Sequence, residues 1–205
     1  MALANYSDLQ TSVSNWSKRS DLTSLFADFV VLAEEEINGQ LDIRLQDTYI
    51  TPSTVAGTET VSVPNDIINT RSLVVSSVTP NVALEYRTPD QLHKDWPYGT
   101  QSIPRAYSVI GSLFYLAPIP DAVYTLELYY KSRVPALTST NTTNYLLTNY
   151  PNIYLFGVLK KLSEYIRDKE GFALYSDKFK AAIDAANAID WYAGSMMRVK
   201  TDVAP

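Results

Sequence analysis

The spacing of apolar residues changes twice along the chain, and this change constrains the fold more than any other feature. Near both ends apolar residues recur every three or four positions, the period of an amphipathic α-helix. Between residues 43 and 134 they recur at every second position, which is typical of β-strands with one buried face. The sequence therefore predicts an α+β protein with helices at both ends and strands between them.

Four helices are predicted, two on each side of the middle segment. The first begins at Ser7, which forms a capping-box pattern with Gln10, and Asp21 can cap the second. The third begins at Pro151, because proline is favoured in the first helical turn. Gly171 is suited to the turn between the third and fourth helices.

Each of these helices has an apolar stripe that it cannot bury alone, and a four-helix bundle is the simplest way to cover all four stripes. The predicted organisation is a discontinuous bundle from 1–42 and 150–194, an inserted antiparallel β domain at 43–134, a polar loop at 135–149 and an extended C-terminal tail at 195–205. The residues predicted to form the bundle core are Leu25, Phe29, Leu32, Leu155, Leu159, Leu162, Phe179 and Ile183.

One β-hairpin is predicted in detail. Two apolar runs, 107–110 and 113–116, flank the pair Gly111-Ser112, and a Gly-X pair between strands suits a type II′ turn. Pro118 then limits the second strand, because proline cannot donate to the hydrogen-bond ladder.

Composition narrows the class of protein. The 205 residues include no cysteine, so a disulfide framework and a thiolate metal site are excluded, and a cytosolic assembly is favoured. The N-terminus resembles no signal peptide, and no apolar run is long enough to span a membrane, so no membrane partner is expected. The net charge of −5 disfavours tight binding to nucleic acid. The 15 tyrosines fit either strand propensity or extensive contacts between subunits.

Motifs for catalysis are missing from the sequence. The single histidine, His93, lies between Asp90 and Asp95, but one histidine without ligand spacing favours a surface turn over a metal or acid–base site. There is no G-x-S-x-G motif, and the 7 glycines are scattered and form no phosphate-binding loop. We therefore predict no catalytic residues, no metal, no cofactor and no enzymatic activity.

Several segments, in order, resemble one family. Pro104–Asp121 has a proline, a tyrosine, a glycine turn, an apolar strand and a Pro-x-Pro-Asp exit, and Tyr124–Leu159 continues the pattern through Val134-Pro135-Ala136-Leu137 and Tyr150-Pro151-Asn152. The N-terminal helices up to Ile37 match as well. Together these segments resemble the head-to-tail adaptor (connector) proteins of tailed bacteriophages.

The resemblance implies a structural role in the virion. It implies a twelve-subunit ring under the portal protein at the head–tail interface, assembled in the host cytoplasm. Tail nozzle, tube or fibre proteins are the implied partners on the far side, and genome DNA passes through the bore without specific binding.

The resemblance also suggests which residues carry these contacts. In similar adaptors the C-terminal segment reaches the portal, which assigns docking to Met196, Met197, Arg198, Val199, Lys200 and Val203; the alternative is that this segment packs on its own bundle or on a neighbouring subunit. A DNA channel suits acidic side chains, so Glu34, Glu35, Glu36 and Asp42 are candidates to line it, with a solvated outer face as the alternative.

A binding module is the competing interpretation. Trp96 stands beside Tyr98 in the β-rich segment, and aromatic side chains stack on sugar rings in receptor-binding proteins. A tail-associated carbohydrate- or receptor-binding module therefore remains the alternative function.

Overall fold

A computed structural model describes residues 3–97 and 99–191 of the chain. The chain forms two compact units, each with its own hydrophobic core. Within the described residues the helical unit comprises 3–45 and 134–191, and the β unit is Gln46–Arg133.

The helical unit contains five of the six α-helices in the described residues. They are α1 (Tyr6–Ser17), α2 (Phe26–Gln40), α4 (Tyr145–Asn149), α5 (Pro151–Tyr165) and α6 (Lys169–Trp191), while α3 (Pro89–Asp95) belongs to the β unit. Helix α5 contacts α1, α2, α4 and α6, so it is the centre of this unit.

The prediction of a four-helix bundle with an inserted antiparallel domain is wrong, although the α+β class is confirmed. In a four-helix bundle each helix buries one stripe against a shared axis. Helix α5 instead buries consecutive residues around its circumference, from Ile153 to Leu155 and from Gly157 to Lys160, because other helices pack on several of its sides.

The residues predicted for the core lie mostly inside it. Leu25 is partly buried, and six of the others are buried: Phe29, Leu155, Leu159, Leu162, Phe179 and Ile183. Leu32 is a correction, since its side chain is 48% exposed. The buried face of α2 is centred on Phe26, Val30, Ala33 and Ile37, and at about 100° per residue Leu32 lies roughly 130° from the centre of that face.

The residues at the ends of three helices differ from those predicted. Helix α1 is capped by Asn5, whose side chain accepts from the Asp8 N–H at 2.9 Å, instead of by Ser7. Asp21 does not cap α2, because that helix begins only at Phe26 with Leu25 in the cap position, and the Asp21 carboxylate binds Arg19 instead. Gly171 lies inside α6, and the turn before that helix is formed by Arg167, whose φ is 60°.

The segment predicted as a polar loop, 135–149, ends in helix α4. Asn144 caps this helix by accepting from the Leu147 N–H at 2.8 Å. Leu146 and Leu147 are buried in the helical core, which explains why a Thr- and Asn-rich segment forms a helical turn.

The β unit contains two four-stranded sheets. One has the order β1-β8-β3-β4 and is antiparallel; the other has the order β2-β7-β6-β5, in which β5 and β6 are parallel. The strands are β1 (Asp47–Ile50), β2 (Thr60–Ser62), β3 (Ile67–Val75), β4 (Val82–Ala83), β5 (Glu85–Tyr86), β6 (Ala106–Ile110), β7 (Leu113–Ala117) and β8 (Leu126–Ser132). Side chains from both sheets share one core, including Leu73, Phe114 and Leu128.

The predicted hairpin is confirmed. Strands β6 and β7 pair in antiparallel register, with Ile110 opposite Leu113, so Gly111 and Ser112 form a two-residue turn. Gly111 has φ of 61°, which a residue with a Cβ rarely adopts.

Candidate functional site

The acidic run on α2 was the predicted lining of a channel, and its three carboxylates have different environments. Adjacent helical residues point about 100° apart. Glu34 is only 7% exposed, Glu36 is half-buried and Glu35 is exposed. The prediction that Glu34 lines a channel is therefore wrong for the folded chain, because its side chain lies in the interior of the helical unit.

Glu34 organises a buried hydrogen-bond network. Its Oε1 accepts from the Leu137 N–H at 2.7 Å and from the Tyr154 hydroxyl at 2.9 Å. The Asn144 side-chain amide in turn donates to the Tyr154 oxygen at 2.6 Å and to the Pro135 carbonyl at 2.7 Å. These bonds connect α2, α5 and the segment that returns from the β unit.

The protonation of Glu34 follows from this burial. Removal from water raises the pKa of Glu34, and the bonds from Leu137 and Tyr154 oppose that rise only in part. Burial also raises the pKa of Tyr154, so its hydroxyl remains a donor. The network therefore has a structural role, because it holds α2, α5 and the segment that returns from the β unit in one arrangement.

Glu36 forms a second link between α2 and α5. Its carboxylate contacts the ammonium groups of Lys160 at 2.5 Å and Lys161 at 3.0 Å. Burial opposes ionisation of Glu36, but the hydrogen bonds and charges of the two lysines outweigh it and lower its pKa. The Lys160 ammonium also lies 5.3 Å from the centre of the Phe179 ring.

The other predicted site residues divide into two groups. Asp42 is exposed, and its backbone N–H donates to the Asn187 side chain of α6 at 2.8 Å. The Asn187 amide also donates to the Gln40 carbonyl, which completes the C-terminal end of α2. The predicted portal-docking residues, Met196, Met197, Arg198, Val199, Lys200 and Val203, lie outside the described residues.

The environment of Trp96 does not resemble a sugar-binding platform. Trp96 packs against a small core of Leu92, Ala106 and Ala117. The cavity beside it has a volume of about 30 Å³, roughly the space of one water molecule. Tyr98, its predicted neighbour, lies outside the described residues.

His93 lies on α3 beside the same small cavity. Within residues 3–97 and 99–191, no three side chains of His, Asp or Glu come together as metal ligands. In that same part of the chain, none of the helices combines the length and apolar character that crossing a membrane requires.

Sequence reasoning missed an exposed aromatic pair on the β unit. Tyr49 of β1 and Tyr129 of β8 are directly opposite in register, and their rings stack with centres 5.6 Å apart. Tyr49 is 61% exposed and Tyr129 is 42% exposed. The alternation of Tyr129 with buried Leu128 and Tyr130 was the available signal for an outward-facing tyrosine.

These features define a class: an α+β protein whose charged clusters hold its own helices together and whose surface carries large apolar side chains. The model of the family described as SU10 adaptor protein matches residues 4–200. The chain therefore belongs to this family of phage head-to-tail adaptors, and it is a component of the virion that associates with other head or tail proteins. No curated protein sequence matches the chain.

Proposed function

We propose that the chain assembles into a ring under the portal, joins the head to the tail and lets genome DNA pass through its bore. The family match over residues 4–200 carries this proposal, because it includes both units. The exposed apolar side chains Val31, Leu174 and Ile189 on the helical unit support it. Contact with neighbouring subunits or partners removes such surface from water.

We propose that the bore is lined by carboxylates, some of them neutralised by lysines, which face the DNA. Glu35 and Asp42 remain candidates to line it because both are exposed. Glu36 remains a candidate at lower net charge, since Lys160 and Lys161 neutralise its carboxylate. Carboxylates repel the DNA phosphates and neutralised carboxylates do not attract them, so a wall of this kind favours passage over retention.

The C-terminal segment is proposed to dock on the portal. The family match extends to residue 200, so Met196–Lys200 belong to the sequence that the family shares. Methionine side chains adapt to irregular pockets, and Arg198 and Lys200 suit carboxylates on a partner. Each contact is modest, and repetition around a ring multiplies its effect.

Electron microscopy of the purified chain, alone and with purified portal, tests the proposed function. We expect rings coaxial with the portal, formed by the chain alone or on addition of portal. A chain that stays monomeric under both conditions would refute the ring. Tight DNA binding that weakens steeply with salt would refute a bore that does not hold DNA.

A further inference from the structure

The outer edge of strand β1 is an unpaired row of peptide groups. Strand β1 pairs with β8, and the pairing continues as the Leu126 N–H donates to the Pro52 carbonyl at 2.8 Å. In an antiparallel ladder alternate residues bond to the same neighbour. Thr48 and Ile50 therefore bond to β8, whereas Asp47, Tyr49 and Thr51 direct their peptide groups away from the sheet. These three groups have no backbone partner in the described part of the chain.

The edge of β1 has only part of the protection that free edges carry in soluble proteins, where short strands, charged side chains, prolines, bulges or a covering element prevent pairing. Strand β1 is four residues long, and the charge of Asp47 is paired with Arg71. Residues 47–51 contain no lysine and no proline, and the register between β1 and β8 is continuous. All four residues of β1 are exposed. A hollow of about 440 Å³ lies over the adjoining sheet face and is lined by Tyr49, Tyr129 and Arg71. Such an edge is a template for an added strand.

The opposite side of the β unit is closed. Residues 82–87 pair with β3 through β4, where the Leu84 N–H donates to the Leu73 carbonyl at 2.8 Å. The same segment pairs with β6 through β5, where the Glu85 N–H donates to the Arg105 carbonyl at 3.0 Å. One continuous segment thus joins the two sheets. Because both sheets share one core, the free edges of β1 and β2 lie together on the other side.

This topology argues against pairing between edges of two identical copies. A ring requires two different surfaces of the same chain to meet, and edge pairing needs free edges on opposite sides of the unit. Here both free edges lie on one side, so edge-to-edge contact of two copies is two-fold and closes after two subunits. That arrangement is incompatible with a larger ring.

We infer that the β1 edge binds an extended strand donated by a different virion protein. The strand pairs with the peptide groups of Asp47, Tyr49 and Thr51 and places an apolar or aromatic side chain on the Tyr49–Tyr129 pair. Backbone bonds give affinity in this mode, and the tyrosine pair selects the side chain. The inference rests on the proposed function, since the ring is what excludes the two-fold alternative.

Photo-crosslinking in assembled virions tests the inference. Tyr49 is replaced by p-benzoylphenylalanine, and Tyr86, an exposed tyrosine of β5, is replaced in the matched control. We expect Tyr49→p-benzoylphenylalanine to crosslink to a different virion protein, and the Tyr86 variant not to crosslink to that protein. A Tyr49 product containing only copies of this chain, no product at all, or the same partner from both positions would overturn the inference.

Hydrogen exchange supplies an independent measurement on the unmodified chain. In virions the amides of Asp47, Tyr49 and Thr51 should exchange about tenfold or more slower than in the isolated chain. The amides of Thr48 and Ile50, which bond to β8 in both states, should change much less. Equal exchange at the three edge amides in both states would overturn the inference. Failure of the ring itself is recognised separately, by electron microscopy of the same virions.

Discussion

Gly157 of α5 packs closely against Phe179 of α6 and Ala33 of α2, and its replacement by alanine tests this packing. A Cβ at this position would lie 3.0 Å from Cε2 and 3.3 Å from Cδ2 of Phe179, and 3.4 Å from the Ala33 Cβ. Ordinary carbon contacts are about 3.5–4.0 Å. Phe179 is fully buried, so its ring has little space into which it can move.

Two opposing effects determine how much Gly157→Ala changes the free energy of unfolding. Alanine in a helix interior gains about 1 kcal/mol over glycine, whereas overpacking a core costs about 1–3 kcal/mol. We therefore expect a loss of about 0–2 kcal/mol in the free energy of unfolding. Gly39→Ala is the matched control, because Gly39 lies in α2 with no atom within 4 Å of the added Cβ, and it should gain about 0.5–1 kcal/mol.

Urea denaturation followed by helical circular dichroism measures both variants. In a Phe179→Leu background the smaller side chain leaves room for the Cβ, so Gly157→Ala should lose most of its penalty. If Gly157→Ala stabilises the chain as much as Gly39→Ala does, the close contact between α5 and α6 is refuted.

Three further predictions concern the core, the buried carboxylate and the C-terminal segment. Phe29→Ala and Phe179→Ala should each cost about 3–5 kcal/mol, whereas exposed Leu32→Ala should change stability by about 0.5 kcal/mol or less; equal effects in urea denaturation would contradict the core assignment. Since burial raises the pKa of Glu34, its stabilising contribution is present below the ordinary pKa of glutamate and is lost as pH rises through the folded-state value. Glu34→Gln should therefore gain stability relative to the parent chain between about pH 4 and pH 7, and parallel stability curves would count against a raised pKa. Truncation after Gly194 should leave the thermal melting of the chain nearly unchanged and should prevent the chain from joining portal-bearing heads. If the truncated chain binds portals at wild-type occupancy, the C-terminal segment is not the docking element.

The sequence predicted those helices and turns that depend mainly on residues close together in the chain. The three- and four-residue spacing predicted α1, α2, α5 and α6, and Gly111-Ser112 predicted the β6–β7 hairpin, because a helix period and a turn depend on neighbouring residues. The arrangement of the helices was not predictable in this way. Apolar stripes show that helices must be covered, but they do not show that α5 would contact α1, α2, α4 and α6.

The buried role of Glu34 depended on residues distant in sequence. Three adjacent glutamates look equivalent in the sequence, and the donors that distinguish Glu34 come from Leu137 and Tyr154, which are 103 and 120 positions away. The Lys160 contact that distinguishes Glu36 is 124 positions away. Only tertiary structure brings these groups together, so the sequence could identify the acidic run but not the one carboxylate that it buries.

The two ends of the β unit are hydrogen-bonded to each other. The Ser132 hydroxyl donates to the Gln46 carbonyl at 3.0 Å, and Asp47 pairs with Lys131 in the next step of the ladder. A segment whose two ends meet can be exchanged while the points where the chain leaves and re-enters the helical unit stay the same. The junction at Gln46 and Ser132 is therefore a natural position for exchanging the β unit between related chains, both by recombination and in designed chimeras.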